Sequence, residues 1–421
     1  MASLLALSIL CGCDRGDDPR VVLRIVTPAT DPFAEATSLR VTFESDPPLV
    51  VGPLAIEDGR VGVSIDLPAD SPAARFVVEA LAADESVLGH GATPPVEPQA
   101  AAGLEIRVLV SPILVAERGP TPPPEDLGAP TATMLDDEWF GTSTAGGFLL
   151  VYDLLVHDWA RGVVEPPSSI ADATAVSLPD RRLAFAGGAG RGLQIYEGFD
   201  NSWLVVEVPG APSPWPRPAS VACPDGSVLL VGGGTDAVVR LAIDGTVTSE
   251  APLATRRTGH TASADEDGIA LVVGGAVDAS VEIVGCDGTR EVVDDVARSD
   301  RSGHAAVRLA DGSVLVAGGD AGDADALLLP ADCAPAACEP LQSGPLLPDA
   351  RGGVALAALP EGGVVLVGDG EALGIDVDSW IATPLGGDVV GEAPAAFAAT
   401  TGHLIAIHGD NVFFLAPRVL Y

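Results

Sequence analysis

The sequence predicts an all-β protein: an N-terminal β-sandwich followed by a larger array built from one repeated hairpin unit. Three observations carry this. Gly (49) and Pro (36) make up about a fifth of the 421 residues, yet 47 % of the chain is hydrophobic; that combination marks many short strands joined by tight turns. Between Arg20 and Pro112 apolar and polar residues alternate with a period of two, as in Leu39-Arg40-Val41-Thr42-Phe43 and Val61-Gly62-Val63-Ser64-Ile65, the signature of half-buried strands. From Thr131 onward a short apolar run ending in Gly-Gly returns every 40 to 50 residues, and a fixed period of that size marks a repeat architecture.

Composition narrows the function classes. Acidic residues number 59 against 22 basic ones, all arginine, for a net charge of −37. So negative a surface repels phosphate backbones, which excludes nucleic acid as a partner. It also disfavours anionic membrane surfaces. No apolar run reaches the length of a spanning helix, so membrane association is expected only through an N-terminal anchor.

That anchor is read from Met1 to Cys13, MASLLALSILCGC. The apolar stretch Ala2–Leu10 suits the core of an export signal rather than a helix of the mature fold. Its ending, Leu10-Cys11-Gly12-Cys13, resembles a bacterial lipobox. The resemblance implies a signal segment over residues 1–13, cleaved before Cys13 so that Cys13 becomes the lipidated mature N-terminus, and a location in the cell envelope, at the outer membrane or cell surface. An exported compartment permits disulfides. Cys333 and Cys338 bracket a Pro-containing loop and are expected to pair. Cys223 and Cys286 read equally well as buried thiols or as a second bridge.

Residues 20–115 hold about seven strand-like segments separated by turns such as Asp58-Gly59 and Pro68-Ala69-Asp70. This spacing predicts an antiparallel two-sheet sandwich, similar to an immunoglobulin or fibronectin-type-III module and suited to a spacer role. His90 is expected to be a structural polar residue there. Residues 116–130, AERGPTPPPEDLGAP, read as a Pro-rich, semi-rigid linker.

Residues 131–421 hold the repeat. Its doublets are Gly187-Gly188, Gly232-Gly233, Gly274-Gly275 and Gly318-Gly319, with degenerate copies at Gly368-Asp369 and His408-Gly409. Six residues before each stands a turn residue: Arg181, Gly226, Gly268, Gly312, Gly362 or Gly402. Asp-Gly between two apolar runs is a favoured hairpin turn, so each copy reads as strand, turn, strand, Gly-Gly, with two further strands behind. Upstream of the turn lies Arg-x-Gly-His: Arg257 with His260, and Arg301 with His304; Arg351 persists where Val354 stands in place of the histidine.

The doublets, the later aromatic Tyr196 and the fourth-strand Trp203 and Trp380 resemble the kelch motif over residues 131–421. The resemblance implies a β-propeller of four-stranded blades around an axis. The fragment Gly146–Ala160 carries its own Gly146-Gly147 and favours seven blades. In a six-bladed alternative it would complete the last copy, which lacks an evident fourth strand.

Catalytic constellations are sparse. The shared register of His260 and His304, and of Arg257, Arg301 and Arg351, reads as structural, holding neighbouring copies together. The acidic loop Gly319–Asp325 lacks calcium-loop spacing. No metal, cofactor or catalytic residue is expected. The chain reads as a non-catalytic scaffold for a protein or glycan ligand, with the insertion 331–348 as the candidate surface. The alternative is an enzyme, a hydrolase or oxidase, with its site at the channel mouth. Convergence of two of His157, His403 and His408 with a carboxylate in the axial pocket would favour that alternative; scatter around the rim would favour recognition.

Overall fold

The computed structural model describes residues 19–28, 31–56, 62–68, 70–160, 165–188, 192–208, 211, 214–276, 278–296, 299–319, 324–334, 338–349, 351–359, 363–368, 371–388, 394–399 and 401–416. The expected export signal with Cys13, most of the acidic loop after Gly319, and Tyr421 lie outside them.

The N-terminal unit contains β1 (Arg20–Val26), β2 (Ser38–Phe43), β3 (Leu49–Ala55), β4 (Gly62–Asp66), β5 (Phe76–Leu81), β6 (Val87–Ala92), the helical turn α1 (Pro98–Ala101), β7 (Glu105–Leu109) and β8 (Ser111–Pro112). They form two sheets, ordered β4-β1-β7 and β3-β2-β5-β6-β8. Alternation decides what is inside: Val21, Leu23, Ile65, Ile106 and Val108 from the first sheet share one core with Leu39, Val41, Phe43, Phe76, Val78 and Ala80 from the second. The expected all-antiparallel pairing fails at one place. β1 and β7 run parallel, because β7 enters through α1 and follows the free edge of β1.

Seven four-stranded antiparallel sheets follow among the described residues, spanning 132–160, 173–206, 219–249, 261–293, 305–345, 355–388 and 395–415. The first strand of each touches the first strand of the next, and Ala395–Ala398 touches Ala132–Met134, so the circuit closes. These inner strands are almost wholly Ala, Ser, Thr and Val, as in Ala219–Ala222 and Thr261–Ala264. Seven strands converging on one axis leave little room for larger side chains. The second strands lie between neighbouring sheets and are buried on both faces. Val228–Val231, Val314–Ala317 and Val364–Val367 are therefore continuous apolar runs without alternation.

The residues 139–160 form strands of their own sheet. The last sheet takes its fourth strand from β9 (Ala116–Arg118), which pairs antiparallel with Asn411–Leu415. The sequence places these three residues at the head of a linker. The structure puts them in the ring, because the edge of Asn411–Leu415 needs backbone partners and Ala116-Glu117-Arg118 precede the prolines that would deny them.

Two disulfides are present. Cys223–Cys286 joins the third and fourth sheets, and Cys333–Cys338 closes a short loop. Both Cys333 and Cys338 are buried against Leu327 and Leu329. The insertion is thus drawn down onto the fifth sheet.

The Gly-Gly positions are joints between sheets. Gly187, Gly188, Gly232, Gly233, Gly274, Gly275, Gly318 and Gly319 all have positive φ. A Cβ on Gly274 would lie 2.3 Å from Arg301 O and 2.5 Å from His304 Cε1, and one on Gly232 would lie 2.6 Å from His260 Cε1. Across four of these joints a glycine N–H at or just after the doublet donates to the next sheet: Gly188 to Trp215 O (3.1 Å), Gly234 to Arg257 O (2.8 Å), Gly275 to Arg301 O (2.8 Å) and Gly319 to Arg351 O (3.1 Å).

Two outcomes follow from this geometry. Gly274→Ala combines left-handed strain with a backbone clash and is expected to cost about 2–4 kcal/mol in chemical denaturation; a loss under about 0.5 kcal/mol contradicts the joint. A chain beginning at residue 120 lacks β9 and leaves an apolar edge on the last sheet. It is expected to self-associate in size-exclusion chromatography at concentrations where the full chain does not.

Candidate binding groove

In these sheets the turns joining strands one and two, and three and four, share one face of the ring. There the first three sheets enclose an open cavity of about 400 Å³. It is lined by three equivalent turns: Leu135–Asp137, Ser177–Arg181, and the segment holding Cys223, Gly226 and Ser227.

Local sequence shapes each wall. Asp136 Oδ1 accepts from the N–H groups of Glu138 (2.8 Å) and Trp139 (2.9 Å), fixing the first turn. Asp225 does the same for Ser227 N–H at 2.9 Å. The middle turn departs from the pattern. Where other copies place Gly226 (φ 79°), Gly268 (φ 76°) or Gly312 (φ 86°), it places Arg181 at φ 56°, after Asp180 at φ 62°. An L-residue in that region costs about 1 kcal/mol.

The Arg181 side chain crosses to the first sheet. Its guanidinium pairs with Asp136 and, at 3.2 Å, with Glu138. It also lies 5.9 Å from the Trp139 ring centroid and 5.5 Å from that of Phe199. Phe199 is 72 % exposed. Burial, then the neighbouring Asp136 charge, raises the Glu138 carboxyl above its ordinary value, against the pull of Arg181. Burial also raises Asp153, opposed by the N–H groups of Leu155 and Val156. With Asp136, Asp137 and Asp180 against Arg181 in its lining the groove is net negative, and Glu138, Trp139 and Phe199 stand beside it around the guanidinium. It suits a ligand offering hydrogen-bond donors and a flat or apolar face.

The residues singled out by sequence lie elsewhere, and the repeat explains them. Arg257 is fully buried. Its Nε pairs with Glu282 Oε1 (2.9 Å), Nη1 donates to Gly274 O (2.8 Å) and Ser280 O (3.2 Å), and Nη2 donates to Ser280 Oγ (2.8 Å). Arg301 Nη1 donates to Gly318 O (3.0 Å), and Arg351 Nε to Asp349 Oδ1 (2.8 Å). Trp215 occupies the same register, its Nε1 donating to Gly232 O (2.8 Å) from 17 residues upstream, the separation that Arg257 and Arg301 keep from their own glycines. Sequence reading missed Trp215 because an indole does not look like a guanidinium, although counting back from the doublet reaches it.

His260 Nε2 donates to Val231 O (2.9 Å), and His304 Nε2 meets Thr261 Oγ1 (2.8 Å), each on the preceding sheet. Burial is the main cause that pushes His260 down to about 4 and His304 to about 3. Val354 fills against Gly318 the place His304 fills against Gly274.

His157 and His403 do not enter an axial pocket, nor do they scatter around the rim. Both are buried where the N-terminal unit meets the ring. Tyr152 packs on Phe140 at 5.0 Å, while Tyr196 donates to Asn201 Oδ1 in another sheet. Among the described residues no group of three His, Cys, Asp or Glu side chains could hold a metal ion. No helix among them is long and apolar enough to cross a membrane.

No family model matches this sequence, and no curated protein matches it. Solved structures do. A streptogramin B lyase aligns with a TM-score of 0.54 at 13 % identity, over 69 % of this chain and 93 % of its own. Virginiamycin B lyase from Staphylococcus aureus aligns with a TM-score of 0.56 at 10 % identity, over 69 % and 96 %. A fungal alcohol oxidase in complex with copper aligns at 0.53 and 14 % identity, over 72 % and 75 %.

The fold is a β-propeller. One expectation needs correction: the exclusion of an enzyme does not stand, since the propellers this chain resembles are named as a lyase and an oxidase. Scarcity of histidine and tyrosine in the sequence was too weak a ground, because carboxylates such as Glu138 can also move protons.

The strain at Arg181 is measurable. Arg181→Gly relieves it and removes half-exposed ion pairs worth little, so its stability is expected within about 1 kcal/mol of the parent. Arg181→Ala keeps the strain and is expected to be about 1 kcal/mol less stable than Arg181→Gly. Equal denaturation midpoints for the two variants would count against left-handed strain.

Proposed function

We propose that this chain is an exported, lipid-anchored propeller protein of kelch type with seven blades, whose groove across the first three blades binds a protein or glycan ligand at the cell envelope. One observation carries the reading: three equivalent turns enclose a cavity, and the middle one bears a strained arginine where the repeat calls for glycine. Strain of that kind persists where surrounding structure enforces it, commonly at functional sites. The closed circuit of inner strands supports seven blades, and the glycine joints support kelch type. In this reading residues 1–13 are the export signal, Cys13 carries the lipid, residues 20–115 are an immunoglobulin-like module, and the ring takes in residues 131–421 together with β9. Both disulfides suit an oxidising compartment.

A second reading places catalysis in the same groove. It is favoured by Glu138, whose raised carboxyl suits general-acid work, and by the lyase and oxidase named among the similar structures.

Glycan arrays and envelope-protein capture with the full chain test the first reading. A bound ligand is expected to be lost at least tenfold in the charge-reversed Arg181→Glu variant; a ligand bound equally well by that variant places the site elsewhere. Turnover of a captured ligand that disappears in Glu138→Gln would establish the second reading.

A further inference from the structure

The N-terminal unit lies flush against the first and seventh blades. Arg107 N–H donates to Leu155 O (2.9 Å) and its Nη1 to Val156 O (2.9 Å); Leu114 N–H donates to Ala416 O (3.0 Å). Three histidines are gathered in this contact: His90 from β6, His157 from the last turn of the first blade, and His403 from the first turn of the seventh. Each is at least nine-tenths buried. The rings of His90 and His403 lie 6.5 Å apart. His403 and His157 pack on Phe414 at 6.0 and 5.9 Å.

One bond fixes the protonation state. Leu109 N–H donates to His157 Nε2 at 3.2 Å, so that nitrogen must be unprotonated. A proton there would turn an acceptor into a donor facing a donor.

The charged groups around the cluster do not favour imidazolium at His157 or His403. Arg107 faces His157, and Tyr152, neutral, packs on it at 6.2 Å. Asp153 spends its Oδ1 on the N–H groups of Leu155 and Val156, and Asp158 points to solvent. His403 faces His90 and His157, with Thr401 Oγ1 at 3.3 Å from its Nδ1. Only His90 has acids nearby, Glu79 and Glu44, beside Arg75. Glu79 is held by Arg40 at 2.6 Å and Glu44 by Arg75 at 2.8 Å.

We propose that this contact is an acid-sensitive joint: protonation of His157 and His403 parts the N-terminal unit from the propeller as the pH falls below neutral. Burial pushes both imidazoles down to about 3, helped by Arg107 at His157 and by the charges of the other two histidines at His403, where a hydrogen bond with the His90 backbone opposes them. Freed into solvent, each returns to about 6.5. The closed form is therefore fully favoured above about 6.5. It loses about tenfold per pH unit for each of the two histidines below that, down to about 3. Residues 113–115 link β8 to β9, and their bridges to Ala416 and Gly386 hold this segment on the ring, so parting would begin on its β8 side.

Small-angle scattering and far-UV circular dichroism of the full chain from pH 7.5 to 4.5 test this. The particle is expected to expand reversibly while the β signal stays constant. The double variant His157→Gln, His403→Gln, which keeps an acceptor for Leu109, is expected to shift the midpoint down by at least about one pH unit. No expansion by pH 4.5, or an unchanged midpoint in the variant, overturns the proposal. Should the variant not fold, histidine NMR of the parent chain decides. Imidazoles that titrate only as the particle expands support the joint; titration near 6.5 in a closed particle overturns it.

Discussion

At every joint from the second to the sixth blade, a glycine N–H reaches across to the carbonyl of one residue in the next blade. At the third, fourth and fifth blades that residue also turns its side chain back onto the first glycine carbonyl of its own blade. One residue thus serves two interfaces, and the ring is assembled from a relay of such clamps. The constraint is steric before it is polar. Blades can approach this closely only where no Cβ intervenes and the backbone can take positive φ. What fills the remaining space is negotiable: an imidazole at His260 and His304, an isopropyl group at Val354. What makes the clamp is negotiable too, a guanidinium at Arg257 and an indole at Trp215. The buried Arg257–Glu282 pair shows how strongly one copy commits to it, since removing one partner of such a pair typically costs about 3–5 kcal/mol.

The repeat was legible because it is enforced at fixed spacing. Asp-Gly turns, apolar second strands and glycine doublets each have a local physical cause, and local causes leave local sequence marks. The fourth strand of the last blade left none. Ala116-Glu117-Arg118 has no strand-like alternation, and it is a strand only because Asn411–Leu415 presents an unpaired edge to it. Trp215 was hidden for the opposite reason: its role is set by register, and residue type disguises it.

The groove was half legible. Arg181 could be seen standing at a glycine position. Its partners Asp136 and Glu138 lie on the preceding blade, so their convergence depends on how blades are stacked, whereas Phe199 follows two strands later in the same blade, where the Gly198 N–H donates to Arg181 O. The interdomain histidines were less legible still. His90, His157 and His403 are distant in the chain, and nothing in their flanking residues announces a shared environment. The same turn-bearing face carries both features, so the N-terminal unit sits beside the groove.

Threading β9 into the final blade has a biosynthetic consequence. The strand that closes the circle is made early, and its partner Asn411–Leu415 is made last. Until the two meet, the complete sheets and an incomplete last one must survive with an exposed seam. Closure over so long a stretch of chain is entropically slow, which makes the interval between synthesis and sealing the period when this molecule most needs a chaperone.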